Sequence, residues 1–110
     1  MKASVEAGHL VTLDATRSIA DGLLPLRPGD LTFAHVRRFV DEIVTVEDEQ
    51  IMDAVLWLFS SAKVVVEPSG AATVAAARAN SVQMEGPVVA VVSGGNMSLE
   101  KIEEFRRARG

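Results

Sequence analysis

The chain is 110 residues long, 48% hydrophobic and 24% charged, carries a net charge of −4 and has no cysteine. That length allows one small domain or part of a larger one, and the apolar content excludes a disordered segment. The acidic balance offers no field for a nucleic-acid backbone, and without cysteine there is neither a disulfide framework nor a thiolate nucleophile, which fits a cytoplasmic protein.

The longest apolar runs, Ala54–Phe59 and Pro87–Val92, fall well short of the roughly 18 residues of a membrane span. "MKASVEAGHL" at the N-terminus lacks the apolar centre of a signal peptide. Neither nucleic acid nor membrane is therefore an expected partner.

The first thirty residues show little periodicity, and "LLPLRPGD" (Leu23–Asp30) is a Pro/Gly-punctuated connection. From Leu31 onward Phe33, Val36, Phe39 and Val40 recur at helical spacing, which predicts a helix over Thr32–Asp41. "EIVTV" (Glu42–Val46) follows as a short β-branched strand. Glu47, Asp48 and Glu49 then load the start of a second helix with the acids that its dipole favours, and Thr45 with Asp48 forms a loose capping box. Ile51, Val55, Leu58 and Ala62 make the buried stripe of this helix, with Trp57 partly covered.

Val64–Val66 reads as a strand and Ser69 to about Arg78 as a helix built almost wholly of Gly and Ala, so that something packs unusually close to it. "PVVAVV" (Pro87–Val92) has the continuous apolar character of a strand buried on both faces, and Ser98 is placed to cap a last helix over Leu99–Arg107. Arg106, Arg107 and Arg109 read as cations facing the end of that helix's dipole. Helices and strands in alternation at this spacing predict an α/β fold with a parallel sheet covered by helices.

Three stretches break the packing pattern: "SIADGL" (Ser18–Leu23), "VVEPSGAA" (Val65–Ala72) and "VVSGGN" (Val91–Asn96). Two of them lie at the carboxyl ends of expected strands, where ligands sit in open parallel sheets. Glu67 can serve there as an acceptor for a ligand or as an anion at a helix start. Ser93-Gly94-Gly95 can be a plain strand-to-helix turn, a place of close backbone approach, or a phosphate cradle, although no G-x-G-x-x-G or P-loop lysine accompanies it. Asp21-Gly22 has turn chemistry. His9 and His35 lack metal-ligand spacing, so no metal site is expected, and Ser18, Ser60 and Ser61 lack a base partner for a hydrolytic triad.

Taken in order, "SIADGL", "VDEIVTVEDEQI", "KVVVEPSGAA" and "VVAVVSGGN" resemble the C-terminal region of the pyridoxal-phosphate enzymes of the threonine dehydratase and serine racemase family, of tryptophan-synthase-β-like fold (fold type II), from about Ala3 to Leu99. The resemblance implies pyridoxal 5'-phosphate as cofactor and gives Ser93 the hydrogen bond to its pyridine nitrogen. A neutral hydroxyl does not hold that nitrogen protonated as a carboxylate would, which suits loss of a β-hydroxyl from the substrate. The resemblance further puts Glu67 beside the ring, Lys63 and Ser69 near it, Ala20, Asp21 and Gly22 along the cofactor and substrate side, and Gly94, Gly95 and Asn96 in the turn around the ring nitrogen.

The family's cofactor forms a Schiff base with a lysine near the N-terminus, whereas Lys2, Lys63 and Lys101 all stand outside that motif; the glycine-rich phosphate loop and the Ser/Thr-Gly-Asn loop are also missing. Ser60-Ser61 stands where many relatives carry a charged pair. No catalytic residue is therefore assigned. Residues 1–110 are expected to form the C-terminal portion of a large domain whose catalytic N-terminal portion lies outside the chain. The implied reaction is β-elimination of a hydroxy amino acid to a 2-oxo acid and ammonia, with a Cα racemase as the near alternative. The chain is expected to be inactive alone and to pair with a second copy or with the N-terminal part. A non-catalytic α/β module that binds a small ligand or a partner subunit is the rival reading.

Overall fold

The computed structural model describes every residue except Met84. Helix α1 (Lys2–Ala7), which the weak periodicity of this stretch hides, closes on Gly8 at φ 76°, a left-handed conformation that glycine adopts without a Cβ penalty. The chain then folds back, and the buried Ser4 hydroxyl accepts the Val11 N–H at 2.9 Å.

Helix α2 (Asp30–Phe39) begins two residues before the expected position, with Asp30 in its first turn and Arg37 and Arg38 in its last, as the helix dipole favours. Of its apolar face only Phe33 is buried; Phe39 and Val40 are exposed. Helix α3 (Asp48–Trp57) starts on Glu47, whose N–H is accepted by the Gln50 side chain at 2.8 Å. This corrects the expected Thr45–Asp48 cap, because Asp48 is engaged instead with Ser18 and Ile19.

After Trp57 the helix widens into a π turn over Leu58–Ala62 and stops at Lys63, at φ 59°. The wider turn shifts the helical register, so Ile51, Val55 and Leu58 stay buried while Ala62 leaves the stripe and is exposed. Helix α4 (Pro68–Arg78) opens with proline at a position where a missing N–H costs no hydrogen bond, and the Arg78 guanidinium lies 4.8 Å over the Trp57 ring. Helix α5 (Leu99–Arg109) is capped as expected, the Ser98 hydroxyl accepting the Lys101 N–H at 3.2 Å.

The arginines at the end of α5 do more than face a dipole. Arg109 grips both Asp53 oxygens at 2.7 Å and Glu49 at 3.1 Å, which ties α5 to α3. These carboxylates, Asp53 foremost, raise the Arg109 pKa still further. The core lies where α3, α4 and α5 meet: Ile51, Val55 and Leu58 pack with Val66, Ala71, Val74, Ala75 and Phe105.

The strand expectations fare differently. Glu42–Val46, Val64–Val66 and Pro87–Val92 lie in non-helical chain, and among the described residues none of them forms a strand ladder. A strand exists only by pairing, and among the described residues the sole backbone bond joining the second and third segments is Glu67 N–H to Gly94 O at 3.3 Å, just beyond the valines. Thr73 Oγ1 adds one side-chain bond to Val91 O at 2.7 Å. The expected burial on both faces is also absent: Val66 is buried and Ala90 packs on the core, while Val89 is 88% and Val91 69% exposed. The helical layer of the expected α/β fold is thus present, and its sheet is represented by apolar segments with one face open.

Candidate functional site

The first turn of α4 gathers the three stretches that stood out in the sequence. Glu67 is extended (φ −73°, ψ 159°) and caps the helix with its carbonyl, which accepts the N–H groups of Gly70 at 3.0 Å and Ala71 at 3.1 Å. This leaves its carboxylate free to turn outward, and Glu67 Oε2 accepts the Asn96 N–H at 3.0 Å. The same carboxylate packs on Gly94, whose φ of 77° carries the chain round the end of the valine segment. The turn tightens again at Met97, whose N–H reaches Gly95 O at 2.7 Å.

Two residues along, the Ser69 hydroxyl accepts the Gly22 N–H at 2.9 Å and lies 3.4 Å from Asp21 Oδ1. Asp21–Leu23 forms a single 3-10 turn, in which Asp21 Oδ1 also accepts the Gly22 N–H at 2.8 Å. Ala20, one residue before, is buried in the core and anchors the turn. Gly70 completes the set: a Cβ there would overlap the Ser93 carbonyl oxygen and stand 2.7 Å from the Ser93 carbonyl carbon. The small-residue helix predicted to admit a close neighbour admits this one.

Glu67, Ser69 and Gly70 therefore hold, in turn, Gly94 with Asn96, Gly22 with Asp21, and Ser93. Gly95 lies over the end of the Val64–Val66 segment, its would-be Cβ at 3.5 Å from Val65 O. Apart from Lys63 and Ser69, which the resemblance put only near the ring, the eight residues that it singled out gather about this helical turn. Ser93 is exposed, and among the described residues its hydroxyl has no hydrogen-bond partner, although its carbonyl lies close against Gly70.

Other candidates stand elsewhere. The Lys63 ammonium donates to Ser60 O, and Lys101 pairs with Glu104 at 2.9 Å. His9 and His35 are exposed and bond through Nδ1 to Ala7 O and Leu31 O. A cavity of about 380 Å³ opens between Val44–Val46 and the side of α4, lined by Ser18, Leu23, Ile51 and Thr73 among others, and it flanks the 3-10 turn without including any of the eight.

Sequence reasoning expected a close neighbour along the small-residue run of α4 without saying what it would be or that Gly70 would meet it, and it missed Asp48 and Ser18, which brace the segment before Asp21. The signal for Gly70 was its position directly after "EPS" in a helix start facing "SGG"; the link between Asp48 and Ser18 spans thirty residues and has no local signature.

The family described as "Pyridoxal-phosphate dependent enzyme" matches residues 1–94. The chain belongs to that family. Its members bind pyridoxal phosphate. The chain is 43% identical over 106 residues to the L-threonine ammonia-lyase of Thermotoga maritima, covering 96% of this chain and 26% of that protein. It is 35% identical over 103 residues to the serine racemase of Schizosaccharomyces pombe, covering 93% of this chain and 32% of the other.

Among solved structures, a threonine deaminase from T.th. superposes with a TM-score of 0.83 at 38% identity, over 89% of this chain and 36% of that one. Maize serine racemase superposes with a TM-score of 0.80 at 36% identity, over 98% and 36%. The helices and the unladdered valine segments thus follow the path of family members, in keeping with the α/β class. The chain spans about a quarter to a third of the length of these relatives.

Proposed function

We propose that this chain forms the wall beside the ring nitrogen of pyridoxal phosphate in a lyase that removes the β-hydroxyl of a hydroxy amino acid, threonine or serine. In that reading it is the C-terminal portion of a large domain, its valine segments joining a parallel sheet, and it works with a second copy or with a chain that carries the anchoring lysine. The observation that carries the reading is Ser93: a hydroxyl without a partner among the described residues, on a backbone that lies close against Gly70 and enters a turn closed by the Glu67–Asn96 bond.

Bound pyridoxal phosphate supplies an electron sink for negative charge at the substrate Cα. The chain's own contribution is orientation. Ser93 Oγ offers the ring nitrogen a neutral partner, Gly94 and Gly95 let the backbone turn without side chains that would cover that edge, and Asp21-Gly22, fastened to Ser69, borders the substrate side. The residues present fit the ring edge but not covalent anchoring: Lys2 lies on α1, Lys101 on α5, and the Lys63 ammonium turns back to Ser60 O, so none stands in the turn that gathers Glu67, Ser69 and Gly70. A racemase reading is supported by the serine racemase relatives, at 35% and 36% identity.

The test is a graft. With this chain replacing the matched segment of the Thermotoga L-threonine ammonia-lyase, the folded hybrid is expected to bind pyridoxal phosphate and release a 2-oxo acid and ammonia from L-threonine or L-serine. Formation of D-serine without oxo acid selects the racemase. A folded hybrid that binds no cofactor, or that binds it and does neither reaction, overturns the proposal.

A further inference from the structure

The segment that presents Asp21 and Gly22 is held from behind by a carboxylate at the start of α3. Asp48 is half-buried; its Oδ1 accepts the Ser18 hydroxyl at 2.5 Å, and both of its oxygens accept the Ile19 N–H at 3.2 Å. Ser18 Oγ in turn accepts the Ala20 N–H at 3.1 Å. Ala20 is fully buried, and from it the chain enters the 3-10 turn in which Leu23 N–H returns to Ala20 O at 2.9 Å and Gly22 N–H meets Ser69. A continuous run of hydrogen bonds thus leads from α3 through Ser18 and Ala20 to α4, some thirty residues away in sequence at one end and forty-seven at the other.

The segment is held besides by the burial of Ala20, by the Gly22–Ser69 bond and by the Thr16 hydroxyl, which donates to Leu24 O at 2.6 Å; among the described residues Asp48 alone joins it to α3 by side-chain hydrogen bonds. The segment carries no regular secondary structure before Asp21, and its flank is the open cavity beside Ser18 and Leu23. A charged acceptor that takes two donors from adjacent residues forms stronger, more directional bonds than neutral partners do. Packing alone would bury Ala20, but it would not define how far the next two residues project toward Ser69.

We infer that Asp48 is a positioning residue: through Ser18 and Ile19 it sets the Ala20–Gly22 segment against Ser69 and thereby shapes the substrate side of the cofactor wall. The cofactor half of this inference rests on the function proposed above; the structural half does not.

Amide hydrogen exchange on the full 110-residue chain reads the structural half. Asp48→Ala is expected to lower protection of the Ile19 and Gly22 amides by about tenfold or more while Asn96 and Phe105 keep theirs, because local opening leaves the rest of the core closed. Ser18→Ala, a milder change, should act in the same direction at Gly22, and Asp48→Asn, which keeps an acceptor oxygen, should restore part of the protection. Glu49→Ala, which removes the neighbouring carboxylate that pairs with Arg109, should leave Gly22 unchanged. Equal acceleration at all four amides, or none at Gly22, overturns the inference.

The grafted lyase reads the cofactor half. There Asp48→Asn is expected to weaken pyridoxal phosphate binding or raise the substrate KM about tenfold, roughly what weakening one charge-assisted hydrogen bond costs, with kcat changed less. If the unsubstituted graft binds the cofactor and Asp48→Asn leaves affinity and KM unaltered, the role assigned to Asp48 is wrong. If the unsubstituted graft binds none, it is the proposed function that fails, and the cofactor half of this inference falls with it.

Discussion

A Cβ built on Gly94 would lie 2.5 Å from Glu67 Oε1, so the Glu67 carboxylate occupies the space that any other residue at position 94 would need. That contact ties the end of the valine segment to the cap of α4, and it distinguishes Gly94 from another glycine with the same backbone.

Gly8 has φ 76° and Gly94 φ 77°, but nothing lies within 4 Å of a Cβ at Gly8. Gly8→Ala is expected to carry only the left-handed backbone penalty, about 1–2 kcal/mol. Gly94→Ala carries that penalty and also displaces Glu67 from the Asn96 N–H, a lost hydrogen bond that costs about 0.5–1.5 kcal/mol more. Urea unfolding of the two variants checks this; equal losses would mean that Glu67 moves aside without cost.

Gly70→Ala drives a methyl into the Ser93 carbonyl and against Val66 Cγ1, 3.0 Å away. Because α4 is fixed by the core on its other side, the expected response is a shift of the Ser93–Asn96 turn, at a cost of about 1–3 kcal/mol typical of overpacking. Backbone amide shifts should change at Gly94, Gly95 and Asn96 and hardly at all in α2.

Lys63 ends the π turn at φ 59°, a conformation uncommon for a residue with a side chain, and its ammonium gains only an exposed bond to Ser60 O. Lys63→Gly is expected to raise stability by about 0.5–1 kcal/mol, relief of the left-handed strain exceeding glycine's extra unfolded entropy. A lower melting temperature for this variant would show that the Ser60 contact matters more than the backbone.

Glu100 sits in the first turn of α5, where its own backbone N–H and the Ser98 hydroxyl hold its carboxyl below the usual carboxylate range. Both bonds favour the charged form, so the folded pKa is depressed. The stabilisation is therefore complete above the unfolded value of about 4.3 and is lost as pH falls through the lower folded one. NMR titration of the Glu100 carboxyl should show Ser98→Ala moving its midpoint back upward; an unmoved midpoint would assign the effect to the backbone alone.

Elements with local causes were legible in the sequence. Ser98 before a charged, amphipathic run, and Glu67-Pro68 before a small-residue run, each mark a helix start by chemistry that acts within one turn. The strand expectations were not met as ladders among the described residues, because β-branched runs such as Val88–Val92 record only a preference for pairing and a run of residues does not say what it pairs with. Helix α1 was hidden by its shortness, and the Ala62 error came from assuming a constant period through a turn that widens. The site motifs were readable as motifs, yet their meeting at the start of α4 depends on contacts between residues as far as forty-eight apart.

Glu67 caps α4 and Ser69 and Gly70 lie in its first turn, and each meets a different piece of chain. Substitutions there share partners and cannot behave independently: a change at one alters the setting in which the others are judged. A library that varies positions 67–70 should vary 21–22 and 93–96 with them, because sampling them one at a time would reject combinations whose members fail alone and succeed together.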